Sequence, residues 1–335
     1  MKNFKTAAFA AAAAVSLGAT AQAEEASYVL ATASTGGTYY PVGVALSTLV
    51  KVKLEPSENI GMSAISSAGS GENVRLLRED EAQFAILQGL FGSYAATGTG
   101  PIAESGPQEQ LRSVTMLWQN VEQFIGSNDA AGDGTVGALA CRKGAGGAMG
   151  AQNSGTIGSN ATLLEGLGID INTDYELVFG GYGPSVEALQ NGQVKGVGIP
   201  AGVPTGAISQ LMAAAGDSVT PLEVTDEQMA AMDGGRELWT RYVIPAGTYP
   251  GQDADWNTIA QPNFLATNAD VSEENVYLIT KTIYENLPFL QAIHPATKAM
   301  ALESAIAGLP VPLHPGAARY YQEQGIEIPD RLMAK

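Results

Sequence analysis

The chain has one cysteine, Cys141, and two histidines, His294 and His314, in 335 residues. A single thiol excludes an internal disulfide framework and any multi-cysteine metal cluster, and two histidines leave little for a zinc site. Charge is scarce as well, at 15% of residues against roughly 25% in an average soluble protein. Lysine and arginine number 17 against 34 aspartates and glutamates, a formal net charge of −17. So acidic a chain is a poor partner for nucleic acid or for an anionic membrane surface. Beyond the first 23 residues there is no run of 18 apolar residues, so no membrane-spanning helix is expected and any task at a bilayer needs a partner.

The signatures of several enzyme classes fail in turn. Gly144 to Gly150 has the look of a dinucleotide loop, but Met149 stands where the third glycine belongs, and a second frame from Gly181 meets Val186. There is no P-loop and no G-x-S-x-G nucleophile elbow. Asp253, Asp255 and Asn257 begin like a calcium loop, yet Thr258 replaces its glycine and Phe264 its closing glutamate. Each histidine precedes a proline, where capping or packing is the expected role. No catalytic residue, cofactor or metal ligand is expected, and Cys141 reads as a buried small hydrophobe.

What is present is a leader and a repeated α/β pattern. Lys2 and Lys5, an apolar stretch from Ala7 to Ala19, and Ala21-Gln22-Ala23 before Glu24 read as a secretory signal peptide over 1–23, cleaved near Ala23. The expected product is a soluble, exported chain. Short runs rich in Val, Ile and Ala then alternate with amphipathic stretches opened by Gly, Ser, Thr or Pro, the pattern of strand-loop-helix units. Strands are expected at 28–33, 61–65, 84–87, 175–179, 195–199 and 256–266. Helices are expected at 41–54, 156–167, 185–191, 206–215 and 226–232, with one long helix over 273–293. Apolar crossings near 113–126 and 239–248 divide the chain into a first lobe of 24–118 with 243–335 and a second lobe of 119–242. The fold class is α/β, two lobes that share a hinge of crossing strands with a cleft between them, the natural site for a small ligand.

Five helix starts sit in small, hydroxyl- or glycine-rich loops: Ser34 to Thr38, Ser70-Gly71, Asn153 to Thr156, Gly183 to Ser185, and Gly202 to Thr205. Most follow a strand, at the sheet edge where open α/β proteins bind ligands. A helix start offers unpaired N–H groups and about half a positive charge, so several aimed into one cleft make an anion site without arginine. None of these loops carries Arg or Lys.

These loops carry a family resemblance. The run Ala31-Thr32-Ala33-Ser34-Thr35-Gly36-Gly37-Thr38-Tyr39-Tyr40-Pro41 is similar to the opening signature of TAXI-type solute receptors of TRAP (tripartite ATP-independent periplasmic) transporters. Further similar motifs follow in order at Ser70 to Leu77, Phe84 to Gln88, Asn153 to Thr156, Ala201 to Pro204, Ile244 to Tyr249, and Pro312 to Ala317 with Arg319-Tyr320-Tyr321. The resemblance implies a two-lobe periplasmic binding protein fold, type II like, with hinge strands and a central ligand cleft, in a monomeric receptor in the periplasm that passes glutamate, 2-oxoglutarate or a related small carboxylate (dicarboxylate) to TRAP permease subunits. Carried over by motif, the ligand contacts are Ser34, Thr35, Gly36, Gly37, Tyr39, Ser70 and Gln88 in the first lobe, and Ser154, Gly155, Thr156 and Gly202 in the second. Backbone N–H groups and hydroxyls would hold carboxylate oxygens, while Tyr39 packs on the ligand and bonds through its OH. Where the family often has an Asp after Gln88, this chain has Gly89-Leu90, which favours a dicarboxylate over an amino acid. The turn at Cys141 to Ala145 departs from the family pattern as well. Two other readings stay open: a secreted hydrolase or transferase using Ser154 or Ser70, which needs a base beside the nucleophile, and a ligand-responsive sensor subunit for a membrane receptor.

Overall fold

The structure is a computed structural model that describes residues 25–334, without the side chain of Cys141. The leader expected over 1–23 and the packing of Cys141 therefore lie outside the described residues. Among the described residues, eleven strands fall into two sheets. In chain order they are β1 (Ala26–Ala31), β2 (Ile60–Ile65), β3 (Phe84–Gln88), β4 (Leu111–Val121), β5 (Phe124–Ser127), β6 (Gly146–Ala148), β7 (Glu176–Leu177), β8 (Gly196–Gly198), β9 (Val219–Leu222), β10 (Thr240–Ile244) and β11 (Trp256–Asn268). The first sheet has the order β10-β11-β3-β1-β2 with β4 also on β11, and the second the order β7-β6-β8-β5-β9. The mixed α/β architecture with two lobes is the one the alternating pattern implies.

The first lobe is wound on β1, which pairs parallel with β2 and β3. Leu30, Ala31, Phe84, Ile86 and Leu87 are fully buried, as expected for parallel strands covered on both faces. The helix Tyr39–Glu58 lays Val42, Leu46, Leu49 and Val50 on this sheet. In the second lobe Phe124, Ile125 and Val197 are buried under the helices Gly155–Gly166, Tyr182–Gln190 and Gly206–Ala215.

The lobes are joined by long strands. One edge of β11 pairs with β4 along most of its length, and its other edge pairs with β10 over its first half and β3 over its second. At 13 residues β11 is about 40 Å long, enough to run from one lobe into the other. The chain enters the second sheet through Glu122 and Gln123, which separate β4 from β5 and are both fully buried. Trp256, Ile244 and Tyr249 belong to the apolar cluster of the second lobe, whereas Phe264 and Leu265 belong to that of the first.

Several expectations are corrected. The long helix over 273–293 is two helices, Glu273–Glu285 and Leu287–Ile293, broken at Asn286. Pro288 has no N–H for the carbonyl of Tyr284, so the first helix stops and proline takes an early position in the second. The strand at 175–179 shrinks to the two-residue edge strand β7. Two strands had no expectation: β9, an edge strand holding Pro221, and β6, built from Gly146, Gly147 and Ala148. Among the described residues, no helix is long and apolar enough to cross a membrane, and no group of three His, Cys, Asp or Glu could hold a metal.

Candidate functional site

A cavity of about 170 Å³ lies where the lobes meet. The first lobe lines it with Ser34, Gly37, Thr38, Tyr39, Ser67, Gly69, Ser70 and Gln88, and the second with Ala151, Ser154, Gly155, Thr156, Gly180, Gly181, Tyr182 and Pro200. No Asp, Glu, Lys, Arg or His lines it. Four helices begin at its wall: Tyr39–Glu58, Ser70–Arg78, Gly155–Gly166 and Tyr182–Gln190. Their first turns present N–H groups and the positive ends of four helix dipoles.

Local chemistry explains each start. Ser154 caps its helix by accepting from the Ile157 N–H at 3.1 Å, and its hydroxyl donates to Ala151 O at 2.7 Å. The turn before it holds Asn153 in the left-handed region at φ 59°, a conformation asparagine tolerates. In the helix Ser70–Arg78, the Glu72 side chain reaches back to accept from the Ala68 N–H at 2.6 Å. Ser70 Oγ accepts from the Gln88 N–H at 3.0 Å, tying the helix start to the end of β3. Tyr39 stands edge-on to Trp118, with ring centres 5.9 Å apart, and its OH donates to Asn263 Oδ1 at 2.5 Å. Burial raises the pKa values of Tyr39 and Tyr182, so both phenols are neutral. Tyr182 OH donates to Pro200 O and lies 3.2 Å from Thr156 Oγ1.

The lobes touch around the cavity. Glu72 N–H donates to Asn153 O at 2.9 Å, Thr38 Oγ1 to Gly202 O at 3.0 Å, and Ala207 N–H to Gly36 O at 3.4 Å. Glycine makes these approaches feasible. A Cβ at Gly71 would sit 2.3 Å from Asn153 O, one at Gly37 2.8 Å from the Tyr182 ring, and one at Gly155 2.5 Å from Gln88 Oε1.

Of the eleven residues expected from sequence, Ser34, Gly37, Tyr39, Ser70, Gln88, Ser154, Gly155 and Thr156 line the cavity. Thr35 is exposed and does not line it, Gly36 packs against Gly183, and Gly202 lies behind, against Trp118 and Thr38. Sequence reasoning passed over Thr38, Ser67 and Tyr182. Tyr182 adjoins the flagged loop Gly183 to Ser185, but a tyrosine one position earlier carries no signal by itself that it will reach across to Gly37. The histidines act as caps: His294 Nδ1 accepts from Ala296 N–H at 3.1 Å and His314 Nδ1 from Gly316 N–H at 3.2 Å.

Comparison with known proteins adds family and fold. A family model described as the NMT1-like family matches residues 30–325. The chain is similar to MatC from Rhodopseudomonas palustris, solved with bound malate, at 12% identity, 88% coverage of this chain, 98% of that one, and TM-score 0.52. It is also similar to PhnD1 from Prochlorococcus marinus (MIT 9301), solved with methylphosphonate, at 11% identity, 82% and 90% coverage, and TM-score 0.52. At such identities the likeness is one of fold, and the fold is that of two-lobe binding proteins.

Proposed function

The chain belongs to the NMT1-like family, and from that premise and the geometry of the cleft we propose an extracytoplasmic solute receptor that holds a small carboxylate between its lobes. The observation that carries this reading is the convergence of four helix N-termini on a cavity of about 170 Å³ with no charged side chain in its wall. An anion is stabilised there by N–H groups and helix dipoles. An engineered cavity of about 150 Å³ accepts benzene, so the ligand has roughly six to ten non-hydrogen atoms. Glu72 and Ile157 already spend their N–H groups on Asn153 and Ser154, leaving those of Ser70 and Gly71 on one side and Gly155 and Thr156 on the other. Malate in MatC and methylphosphonate in PhnD1 are both small anions, which supports the same class here.

Function follows from closure. A ligand that touches both lobes binds the closed form better than the open one and populates it by that difference. The closed surface is then what a membrane partner reads. The ordered series of motifs shared with TAXI receptors supports a TRAP permease as that partner, and the leader over 1–23 supports delivery to the periplasm. Chemistry on Ser154 or Ser70 is not supported: the hydroxyl of Ser154 is engaged as a cap, and no base lines the cavity.

Thermal unfolding of the ligand-stripped chain with glutamate, 2-oxoglutarate, succinate, malate, fumarate and pyruvate, and with neutral sugars as controls, tests the reading. Ligand at 100 times its Kd stabilises by about 2.7 kcal/mol, which raises Tm by several degrees. A rise with carboxylates alone is expected. No rise with any of them refutes the proposal, and uptake by a TRAP permease in vesicles, with and without this chain, tests the partner.

A further inference from the structure

A carboxylic acid is sealed into the strand junction that joins the lobes. Glu122 is fully buried between β4 and β5, its N–H donating to Ile259 O at 2.9 Å and its carbonyl accepting from Thr258 Oγ1, both on β11. Its Oε1 meets Ser159 Oγ at 2.8 Å, Trp239 Nε1 at 3.0 Å and Gln261 Nε2 at 3.1 Å, while its Oε2 has no partner. An ionised carboxylate buried in this way needs donors on both oxygens and a cation beside it. The cation is missing. Arg241 on β10 turns its guanidinium to Asp226 and to the carbonyls of Val224 and Thr258, Arg112 stands at the far end of β4, and no lysine, arginine or histidine acts on Glu122 among the described residues. The other ionisable groups around it are Glu165, exposed at the far end of the helix Gly155–Gly166, Asp233, which accepts from the Trp239 N–H at 3.1 Å, and the phenols of Tyr39 and Tyr182. A protonated Glu122 fits this setting, because the Ser159 hydroxyl accepts as readily as it donates. Burial raises its pKa, against the three donors that lower it.

A charge on Glu122 is felt where the anion would sit. Ser159 is one turn, about 6 Å, along the helix from Gly155 in the cavity wall, and the phenols of Tyr39 and Tyr182, from the two lobes, both respond to the Glu122 carboxyl. The helix starts offer only partial positive charges, so a full negative charge behind one of them opposes the ligand. We propose that the cleft takes its anion together with a proton held on Glu122, so that solute binding is linked to proton uptake by the receptor. This rests on the anion-receptor reading above and adds the proton as a second ligand. The carboxyl does not touch the solute and needs no opening to the cavity, since a proton reaches a buried acid through brief local openings of the junction. The bound anion makes Glu122 hold its proton to a higher pH, and by reciprocity affinity is level below the pKa of the free receptor, falls between that value and the higher one of the complex, and is level again above it. Two unit charges about 10 Å apart at an effective dielectric of about 20 repel enough to weaken binding roughly 10- to 20-fold.

The test is isothermal titration of the ligand-stripped protein with succinate, malate, 2-oxoglutarate and glutamate at pH 5.5, 7 and 8.5, each in two buffers of different ionisation enthalpy, which reads proton uptake directly. The acid that binds best is expected to lose roughly tenfold in affinity from pH 5.5 to pH 8.5 and to bring a proton, in part or whole, onto the protein at pH 7 or 8.5, where the acids themselves are already ionised. Glu122→Gln is neutral at every pH. It should bind at pH 8.5 with the affinity the wild type shows at pH 5.5 and take up no proton, with circular dichroism confirming the fold. The wild-type proton count stands as a test even where the variant misfolds. Constant wild-type affinity without proton uptake, or a pH dependence and uptake that a folded Glu122→Gln retains, overturns the proton assignment and leaves the anion receptor standing. No binding of any acid at any pH overturns the receptor reading, and the assignment with it.

Discussion

A single methyl group added at Gly71 should keep the lobes from shutting. Gly71 lies in the first turn of the helix Ser70–Arg78, and a Cβ built there would sit 2.3 Å from Asn153 O and 3.0 Å from Asn153 C. Both atoms are backbone of the opposite lobe, so no side chain can swing aside. Relief requires the lobes to part by about 1 Å at this point, which stretches the 2.9 Å bond from Glu72 N–H to Asn153 O. Losing that bond costs about 0.5–1.5 kcal/mol, and the overlap adds about 1–3 kcal/mol where it is not relieved. The closed state is therefore disfavoured by about 1.5–4.5 kcal/mol, and ligand affinity should fall roughly 10- to 1,600-fold. The ligand-free protein should not suffer. Alanine suits a helix better than glycine does, and an open form has no overlap to relieve. Titration calorimetry gives the change in Kd, small-angle scattering with and without ligand gives the degree of closure, and Tm without ligand serves as the control. If Gly71→Ala binds ligand as tightly as the wild type, or loses as much stability without ligand as it loses affinity, the contact is not a closure contact and the reasoning fails.

Other perturbations are simpler. Ser154→Ala removes the oxygen that accepts from Ile157 N–H and should lower stability by about 0.5–2 kcal/mol in urea, with weaker ligand binding because the first turn of the helix loses its anchor; an unchanged urea midpoint would contradict this. Tyr39→Phe deprives Asn263 Oδ1 of its donor beside an Asn263 Nδ2 that already has no partner, a loss of about 1–3 kcal/mol readable in the same assay. At Glu122, burial raises the carboxyl pKa, against the opposing bonds from Trp239, Ser159 and Gln261. A folded pKa above the unfolded value means its contribution is full below about pH 4.5 and is lost as pH rises through the folded value. Glu122→Gln does not ionise, so it should gain stability relative to the wild type between pH 4 and pH 8, and a difference that stays constant with pH would count against a buried, proton-holding carboxyl.

How far the sequence could be read depended on the kind of signal each element carries. The helix Gly206–Ala215 has the bounds its apolar period predicts, because Thr205 and Gly216 punctuate it clearly. β11 begins at Trp256 as expected and runs two residues beyond Ala266, since Thr267 and Asn268 still pair with Arg112 and Leu111 of β4. β6 was hidden because Gly146 and Gly147 have no side chains to produce a period, and β9 because Pro221 argues against a strand except at an edge, which is where β9 lies. The break at Asn286 was readable in principle, since Pro288 was in view.

The same division runs through the site. The helix starts were legible because capping and left-handed turns demand particular residues within a few positions of one another: Ser154 three residues before Ile157, Asn153 at the turn, Ser70 after Gly69. Composition added the absence of cations in those loops, and with it the expectation of an anion held by backbone. These are local requirements, met by neighbours in the chain, so the sequence by itself determined them. Tertiary structure alone decided that Thr35 is exposed to solvent while Thr38 and Tyr182 line the cavity, that Gly71 meets Asn153, and that the buried amide oxygen of Gln88 lies against Gly155. Such pairings join residues tens of positions apart, and they arise only when two sheets, tied by β4 and β11, are brought face to face, a geometry that no run of neighbouring residues encodes.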